Sequence, residues 1–308
     1  MLDQIKGLHH ITSLASDART NNAFFTDALG LRRVKKTVNF DAPDVYHLYY
    51  GDATGAPGSV MTYFPFPHAA PGRPGAGEVG TTAFAIPAGS ADWWGERLAL
   101  LGARATAEDD PFGARRLAFA GPDGDAFALV EDAHDTRAPW STDAVPEAHA
   151  IRGFHSASLR VRDPGATREL LGFMGYEPAE TRDGTMRMVR PGGTANVIDI
   201  DVQPGAPDPR PGAGSVHHIA FAVDNRARQL EVREALMDTG YQVTPVIDRD
   251  YFWAIYFRTP DGILFEIATN EPGFDRDEDP AHLGEALKLP AQHEHLRAKL
   301  QSHLQPIE

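Results

Sequence analysis

Part of this chain is written twice. RPGAGEVGTTAFAI (residues 73–86) and RPGAGSVHHIAFAV (210–223) align without a gap, and GPDGDAFALVED (121–132) matches TPDGILFEIATN (259–270) further on. A fainter pair, GLHHITSLASD (7–17) and GFHSASLRVRD (153–163), equates Gly7 with Gly153, His9 with His155 and Asp17 with Asp163. Similarity at a fixed spacing constrains a fold strongly, because each copy must then be one structural unit. The copies share one grammar. An alternating strand such as HHITSLA or HHIAFAV is followed by a helical pattern: ARTNNAFFTDALG, SADWWGERLALLG, ATRELLGFMG or ARQLEVREALMDTG. Gly30, Gly102, Gly175 and Gly240 stand where helix-ending glycines are expected. Three shorter strands complete each unit, the last entered through a turn such as Pro260-Asp261-Gly262.

The reading is an α+β chain of four βαβββ units, at 7–66, 79–133, 152–203 and 215–270. Pro/Gly-rich stretches join the units within each half, and DTRAPWSTDAVPEAH joins the halves. The expected division is an N-terminal domain, 1–147, holding the first two units, and a C-terminal domain, 148–308, holding the last two. The tail, 273–308, is expected to form a turn and then a helix over AQHEHLRAKLQSHL.

Net charge is −14 with no basic cluster, which argues against nucleic acid or an anionic membrane as partner. Cysteine is absent, so any metal site must be built from His and carboxylate. The N-terminus has no apolar run of signal-peptide length, and no stretch approaches the roughly 18 apolar residues of a membrane span, so a cytoplasmic location is expected.

Repeated βαβββ units resemble the vicinal-oxygen-chelate (glyoxalase/bleomycin resistance/dioxygenase) superfamily. That resemblance implies that units pair into half-barrel cups, two cups for four units, plus the helical tail. Strand alternation then sorts faces. In VHHIAFAV the bulky set His217, Ile219, Phe221, Val223 suits the packed face and leaves His218 with two alanines opposite. In GILFEIA, Ile263, Phe265 and Ile267 pack while Glu266 faces the other way, and in LHHITSL the open face carries His10 and Thr12. The copies differ at these slots. Unit two has Thr81 for His218 and Ala128 for Glu266, and unit three has Ser156 for His10. One cup is equipped for a metal and the other is stripped, so units one and four should share the working cup. Two His and one carboxylate with open positions form the facial triad of non-haem Fe(II) oxygenases. A lone strand histidine is usually structural. Two HH pairs in equivalent strands, together with a Glu in an apolar strand, are harder to explain by packing, since an unpaired buried carboxylate costs several kcal/mol.

The segments LHHIT, VYHLYYGDATGAPGSVMTYFP, AIPAGSADWW, RGFHSASL, VHHIAFAV, DRDYFWAIYFRTPDGILFEIAT and GFDRDEDPAHLGEALKLP resemble the hydroquinone (para-diol) ring-cleaving dioxygenases, the 2,6-dichlorohydroquinone 1,2-dioxygenase group, from residue 8 to about 290. The resemblance implies Fe(II), with Mn(II) as the alternative ion, on His10, His218 and Glu266. It further implies catalytic support from His9, His217, Arg249 and Tyr256, with a small aromatic diol and O2 as partners. A homo-oligomer is left open. Tyr256 fits on its own, because Trp253, Ile255 and Phe257 read as the packed face of its strand. Face assignment puts His9 and His217 behind the ligands as orienting groups; at the cavity rim they would instead transfer protons. An extradiol catechol dioxygenase, a glyoxalase-type isomerase or lyase, and a non-enzymatic binding protein are the rival readings. His155 reads as a hydrogen-bonded structural residue, Trp93 and Trp94 as core, and His293, His295 and His303 as solvated tail residues.

Overall fold

The computed structural model describes all 308 residues and contains the repeat as expected. Unit one comprises β1 (Ile5–Ala15), α1 (Ala18–Ala23), β2 (Arg32–Val38), β3 (Tyr46–Gly51) and β4 (Val60–Pro65). Unit two comprises β5 (Glu78–Ile86), α2 (Ala91–Leu100), β6 (Ala105–Asp109), β7 (Arg115–Ala120) and β8 (Ala126–Glu131). Unit three comprises β9 (Gly153–Val161), α3 (Gly165–Phe173), β10 (Glu177–Arg182), β11 (Thr185–Val189) and β12 (Val197–Val202). Unit four comprises β13 (Val216–Val223), α4 (Arg226–Asp238), the short β14 (Ile247–Asp248), β15 (Phe252–Arg258) and β16 (Leu264–Pro272).

Local chemistry accounts for the helix boundaries. Asp17 caps α1 by accepting from the Thr20 amide at 2.7 Å, and Asn225 caps α4 from Arg228 at 3.1 Å. The four stop glycines all adopt positive φ, from 69° at Gly30 to 93° at Gly240, a conformation that costs other residues a Cβ clash. One expectation needs adjusting: ARTNNAFFTDALG is not a single α-helix. It widens into a π-helical turn over Phe24–Ala28, where Phe25 is fully buried against Tyr50 and Tyr63.

The strands form two eight-stranded sheets, ordered β14-β15-β16-β13-β1-β4-β3-β2 and β10-β11-β12-β9-β5-β8-β7-β6. Units one and four therefore share one sheet, as the ligand contrast required, and units two and three share the other. In each sheet an antiparallel seam joins the two units, β1 to β13 and β5 to β9. The linkers meet as well, with Pro71 bridged to Ala213 and Arg73 to Arg210. A Cβ on Gly212 would stand 2.4 Å from the Ala70 carbonyl oxygen, which explains glycine at that crossing.

The bulky faces read from alternation are the core. Ile219, Phe221, Val223, Ile263, Phe265 and Ile267 all sit in one cluster of 50 buried residues that continues through Phe84, Phe127 and Phe154 of the second sheet. Trp94 is fully buried there, with Trp93 packed alongside. The tail departs from expectation. Residues Ala291–Leu296 form a 3-10 turn, and only Arg297–His303 is α-helical (α5). His293 is not solvated: its Nε2 lies 2.9 Å from the Phe40 carbonyl oxygen, because the tail folds back over the loop between β2 and β3.

Candidate metal centre

Register places the three ligand candidates together. His10 on β1 stands opposite Ala220 on β13, and Ala220 stands beside Glu266 on β16. His218, two residues before Ala220, points to the same face. One ligand atom from each of His10, His218 and Glu266 lies within 4.8 Å of the others. The second sheet has the same register with different residues: Ser156 faces Ala83, which stands beside Ala128. There, Arg187 on β11 donates to Asp199 at 2.8 Å and Asp110 at 3.0 Å, and its guanidinium lies over Phe112. In this second cup a side chain supplies the positive charge that meets the carboxylates. His155 has its Nδ1 3.1 Å from the Ser156 hydroxyl, in keeping with a structural role.

The donor set suits a divalent cation. Glu266 is 0% exposed, and neither carboxylate oxygen accepts a hydrogen bond. His218 Nε2 comes within 3.0 Å of Oε2 and His10 Nε2 within 3.4 Å, without the alignment of hydrogen bonds. The two Nε2 atoms are themselves 3.3 Å apart. Burial opposes charge on Glu266, and only positive charge at His10 and His218 draws its carboxyl well below the usual range. Yet burial also drives His218 toward its neutral form. A divalent ion among the three groups resolves the conflict, supplying the charge while leaving both imidazoles neutral for coordination.

The HH pairs have a specific use. His9 Nδ1 is 2.9 Å from His10 Nδ1, and His217 Nδ1 is 2.7 Å from His218 Nδ1. Were Nε2 of His10 and His218 to bind an ion, the Nδ1 of each would carry the proton and donate to the preceding histidine. That arrangement fixes tautomer and ring orientation. It requires the preceding histidines to be neutral. Burial, then repulsion from His10, lowers His9 to about 3, and burial of its inner edge, then His218, lowers His217. His9 is 3% exposed and lies behind the site, as face assignment expected. His217 does not: it is exposed and lines both the cavity above the site and a second cavity of about 380 Å³ beside Arg258. Strand β13 is just beginning at Val216, so no neighbouring layer covers its second residue.

The cavity above the site holds about 300 Å³, and its apolar wall is made by Leu14, Phe40, Phe64, Phe66, Phe252 and Leu264. Tyr256 and Arg249 reach into it, with Arg249 Nε donating to the Tyr256 hydroxyl at 3.3 Å and Nη1 paired with Asp41 at 3.2 Å. Burial, then Glu266, raises the Tyr256 phenol, which stays protonated. Burial works against Arg249, but Tyr256, Asp41 and Glu266 hold it above its ordinary value, so it remains a cation.

Two cavity residues escaped the sequence reading. His47 and Tyr49 lie two apart on β3 and face the cavity, with the Tyr49 hydroxyl 2.8 Å from His47 Nδ1. Their signal was an i, i+2 polar pair within YHLYY. It was masked because every residue of β3 is buried and the strand shows no apolar/polar alternation.

A sequence model of the Glyoxalase/Bleomycin resistance protein/Dioxygenase superfamily matches residues 7–129 and 153–267. MhqO of Bacillus subtilis (strain 168), provisionally named a ring-cleaving dioxygenase, is 39% identical over 100% of this chain and 98% of its own length. The chlorohydroquinone/hydroquinone 1,2-dioxygenase of Sphingobium indicum (strain UT26S) is 35% identical over 97% of this chain and 95% of its own. A crystal structure from B. subtilis subsp. subtilis str. 168, provisionally named a dioxygenase, superposes with a TM-score of 0.96 at 39% identity, covering 99% of this chain and 98% of that one.

Proposed function

The chain belongs to the Glyoxalase/Bleomycin resistance protein/Dioxygenase superfamily, and on that premise we propose that it is a ring-cleaving dioxygenase that opens hydroquinone-type aromatic rings with O2. The observation that carries this reading is the buried His10–His218–Glu266 set, whose carboxylate has no hydrogen-bond donor, at the base of an aromatic-lined cavity. We assign these three residues as ligands of Fe(II). Bound there, Fe(II) would supply the electron relay by which triplet oxygen reacts with a closed-shell ring, and would hold both reactants in contact.

The protein's own groups supply the rest. Glu266 offsets part of the ion's charge, while His9 and His217 keep the ligand imidazoles neutral and aimed. Tyr256, protonated and backed by cationic Arg249, donates a hydrogen bond to the ring oxygen turned toward the site. Charge developing on that oxygen strengthens the bond, so the contact favours the transition state over the ground state. Phe40, Phe64, Phe66 and Phe252 exclude water from the ring, which a reactive intermediate requires. His217, placed between two cavities, is positioned to exchange protons with solvent.

Oxygen uptake by protein loaded anaerobically with Fe(II), assayed against hydroquinones and catechols, tests the reading. Hydroquinone or a methyl- or chloro-hydroquinone should have the higher kcat/KM. A higher value for catechol identifies an extradiol enzyme, and no uptake with any diol rejects ring cleavage.

A further inference from the structure

From Tyr49 and His47 on the cavity wall, a row of buried polar groups that the metal site does not use runs back into the sheet. Tyr49 Oη is 2.8 Å from His47 Nδ1, His47 Nε2 is 2.8 Å from Thr62 Oγ1, and Thr62 Oγ1 is 2.9 Å from Thr12 Oγ1. The row crosses three neighbouring strands, β3, β4 and β1, and ends opposite His218 in the register of the seam. All four side chains are buried, so each hydrogen bond is protected from water. Burial, then His10 and His218, keeps the His47 imidazole neutral, with one donor and one acceptor nitrogen.

We propose that Tyr49, held in place by His47, hydrogen-bonds the ring hydroxyl that lies away from the metal, making this wall the specificity element for diols whose two oxygens are not adjacent. The assignment rests on the ring-cleavage reading above. A catechol can give both oxygens to one ion, whereas a para-diol gives one and needs a protein contact for the other. Of the other polar side chains lining the cavity, Tyr256 with Arg249, and His217 with His218, are engaged on the metal side, and Asn39 and Asp41 belong to the loop at its mouth, where Asp41 is 77% exposed and water competes.

Proton direction makes the site selective. With Tyr49 donating to His47 Nδ1, His47 Nε2–H donating to Thr62 and Thr62 donating to Thr12, every proton in the row points away from the cavity. Tyr49 Oη is then left with lone pairs and no proton to offer. It can accept from a ring hydroxyl and gives nothing to a methoxy group. The Tyr49 ring is fixed from behind by Phe274, at a centroid distance of 5.1 Å, and by Tyr251 at 6.4 Å. Tyr251 in turn bonds Asp277, which with Glu278 holds the fully buried Lys35. The segment GFDRDEDPAHLGEALKLP thus becomes intelligible as the backing layer of the wall that carries Tyr49.

Anaerobic calorimetric titration of the metal-loaded protein with hydroquinone, phenol and 4-methoxyphenol tests the assignment without turnover. In the wild type, hydroquinone should bind about threefold to tenfold more tightly than phenol, the scale of one neutral hydrogen bond, and 4-methoxyphenol should bind like phenol. Tyr49→Phe keeps the ring on Phe274 and should bring the hydroquinone-to-phenol ratio to about one, with phenol affinity and metal content unchanged. His47→Leu should reduce the ratio likewise. His47→Asn, whose carbonyl oxygen replaces Nδ1 as acceptor, should recover part of it, which a purely structural role would not produce. If Tyr49→Phe fails to fold, the Leu and Asn variants decide. A ratio that persists in Tyr49→Phe or His47→Leu, or equal weakening of both ligands, overturns the assignment. If wild-type protein consumes oxygen with hydroquinone while the ratio persists, only this assignment fails. If it binds no diol and consumes no oxygen, the ring-cleavage reading fails with it.

Discussion

Replacing Glu266 by Gln separates the cost of the metal site from its gain. In the metal-free protein the Glu266 carboxylate is 0% exposed and has no hydrogen-bond donor. Burial drives the His218 imidazole toward its neutral form, so it offsets the carboxylate's charge poorly. Such a group costs about 1–3 kcal/mol after relaxation, within the range for imperfectly paired buried ions. Gln has nearly the same volume and no charge, so Glu266→Gln should stabilise the metal-free chain by that amount. At about 2.1 cal/mol/K of unfolding entropy per residue, a 308-residue chain that unfolds in one step shifts by about 1.5 °C per kcal/mol. The variant should therefore melt roughly 2–5 °C above the metal-free wild type. Metal closes or reverses that gap. At a hundredfold excess over Kd it adds about 2.7 kcal/mol to the wild type, roughly 4 °C, and adds almost nothing to a variant that has lost its anionic ligand. Scanning calorimetry of both proteins, with chelator and with Mn(II) under nitrogen, reads all four values. A metal-free variant that melts below the metal-free wild type, or an equal metal-induced rise in both, would refute the claim that Glu266 is kept for coordination.

Metal content should be one ion per chain; His218→Ala should abolish it and Thr81→Ala leave it intact, as elemental analysis will report. His9→Ala should weaken metal binding about tenfold to a hundredfold in a chelator competition, because the His10 ring loses its orienting partner. Tyr256→Phe should retain metal and fold but lose about tenfold to a thousandfold in kcat, measured by oxygen uptake. Away from the site, Asp125 is 5% exposed, accepts from Tyr63 at 2.7 Å, and is raised to about 6 first by burial. Its folded pKa exceeds its unfolded one, so below about pH 4 it costs nothing, and the cost grows as pH rises to about 6, reaching roughly 2–3 kcal/mol. Asp125→Asn should remove that slope, giving a variant more stable than wild type at pH 7.5 and equal to it at pH 4 in urea titrations.

The repeat determined the units and, through strand alternation, which side chains share a face. Those are local properties, and a 2-residue period survives whatever the strand packs against. Comparing copies at matched slots then singled out His10, His218 and Glu266 and predicted that units one and four would pair, which the sheet order bears out. Tertiary structure alone decided which groups touch. The Nδ1-to-Nδ1 bonds within each HH pair depend on χ angles set by neighbouring strands, not on the sequence pair itself. The Tyr49–His47–Thr62–Thr12 row requires the register of three strands at once, and its strand is buried on both faces, so no periodicity marked it. Arg187 in the second cup looked like any charged strand residue until Asp110 and Asp199 closed on it. Lys35 is the extreme case. A lysine in RRVKKTV reads as solvated, yet it is 0% exposed, because carboxylates about 240 residues away in the chain fold back to meet it. Long-range electrostatic pairing of that kind leaves no trace in a local pattern, since either partner alone is indistinguishable from an ordinary surface charge.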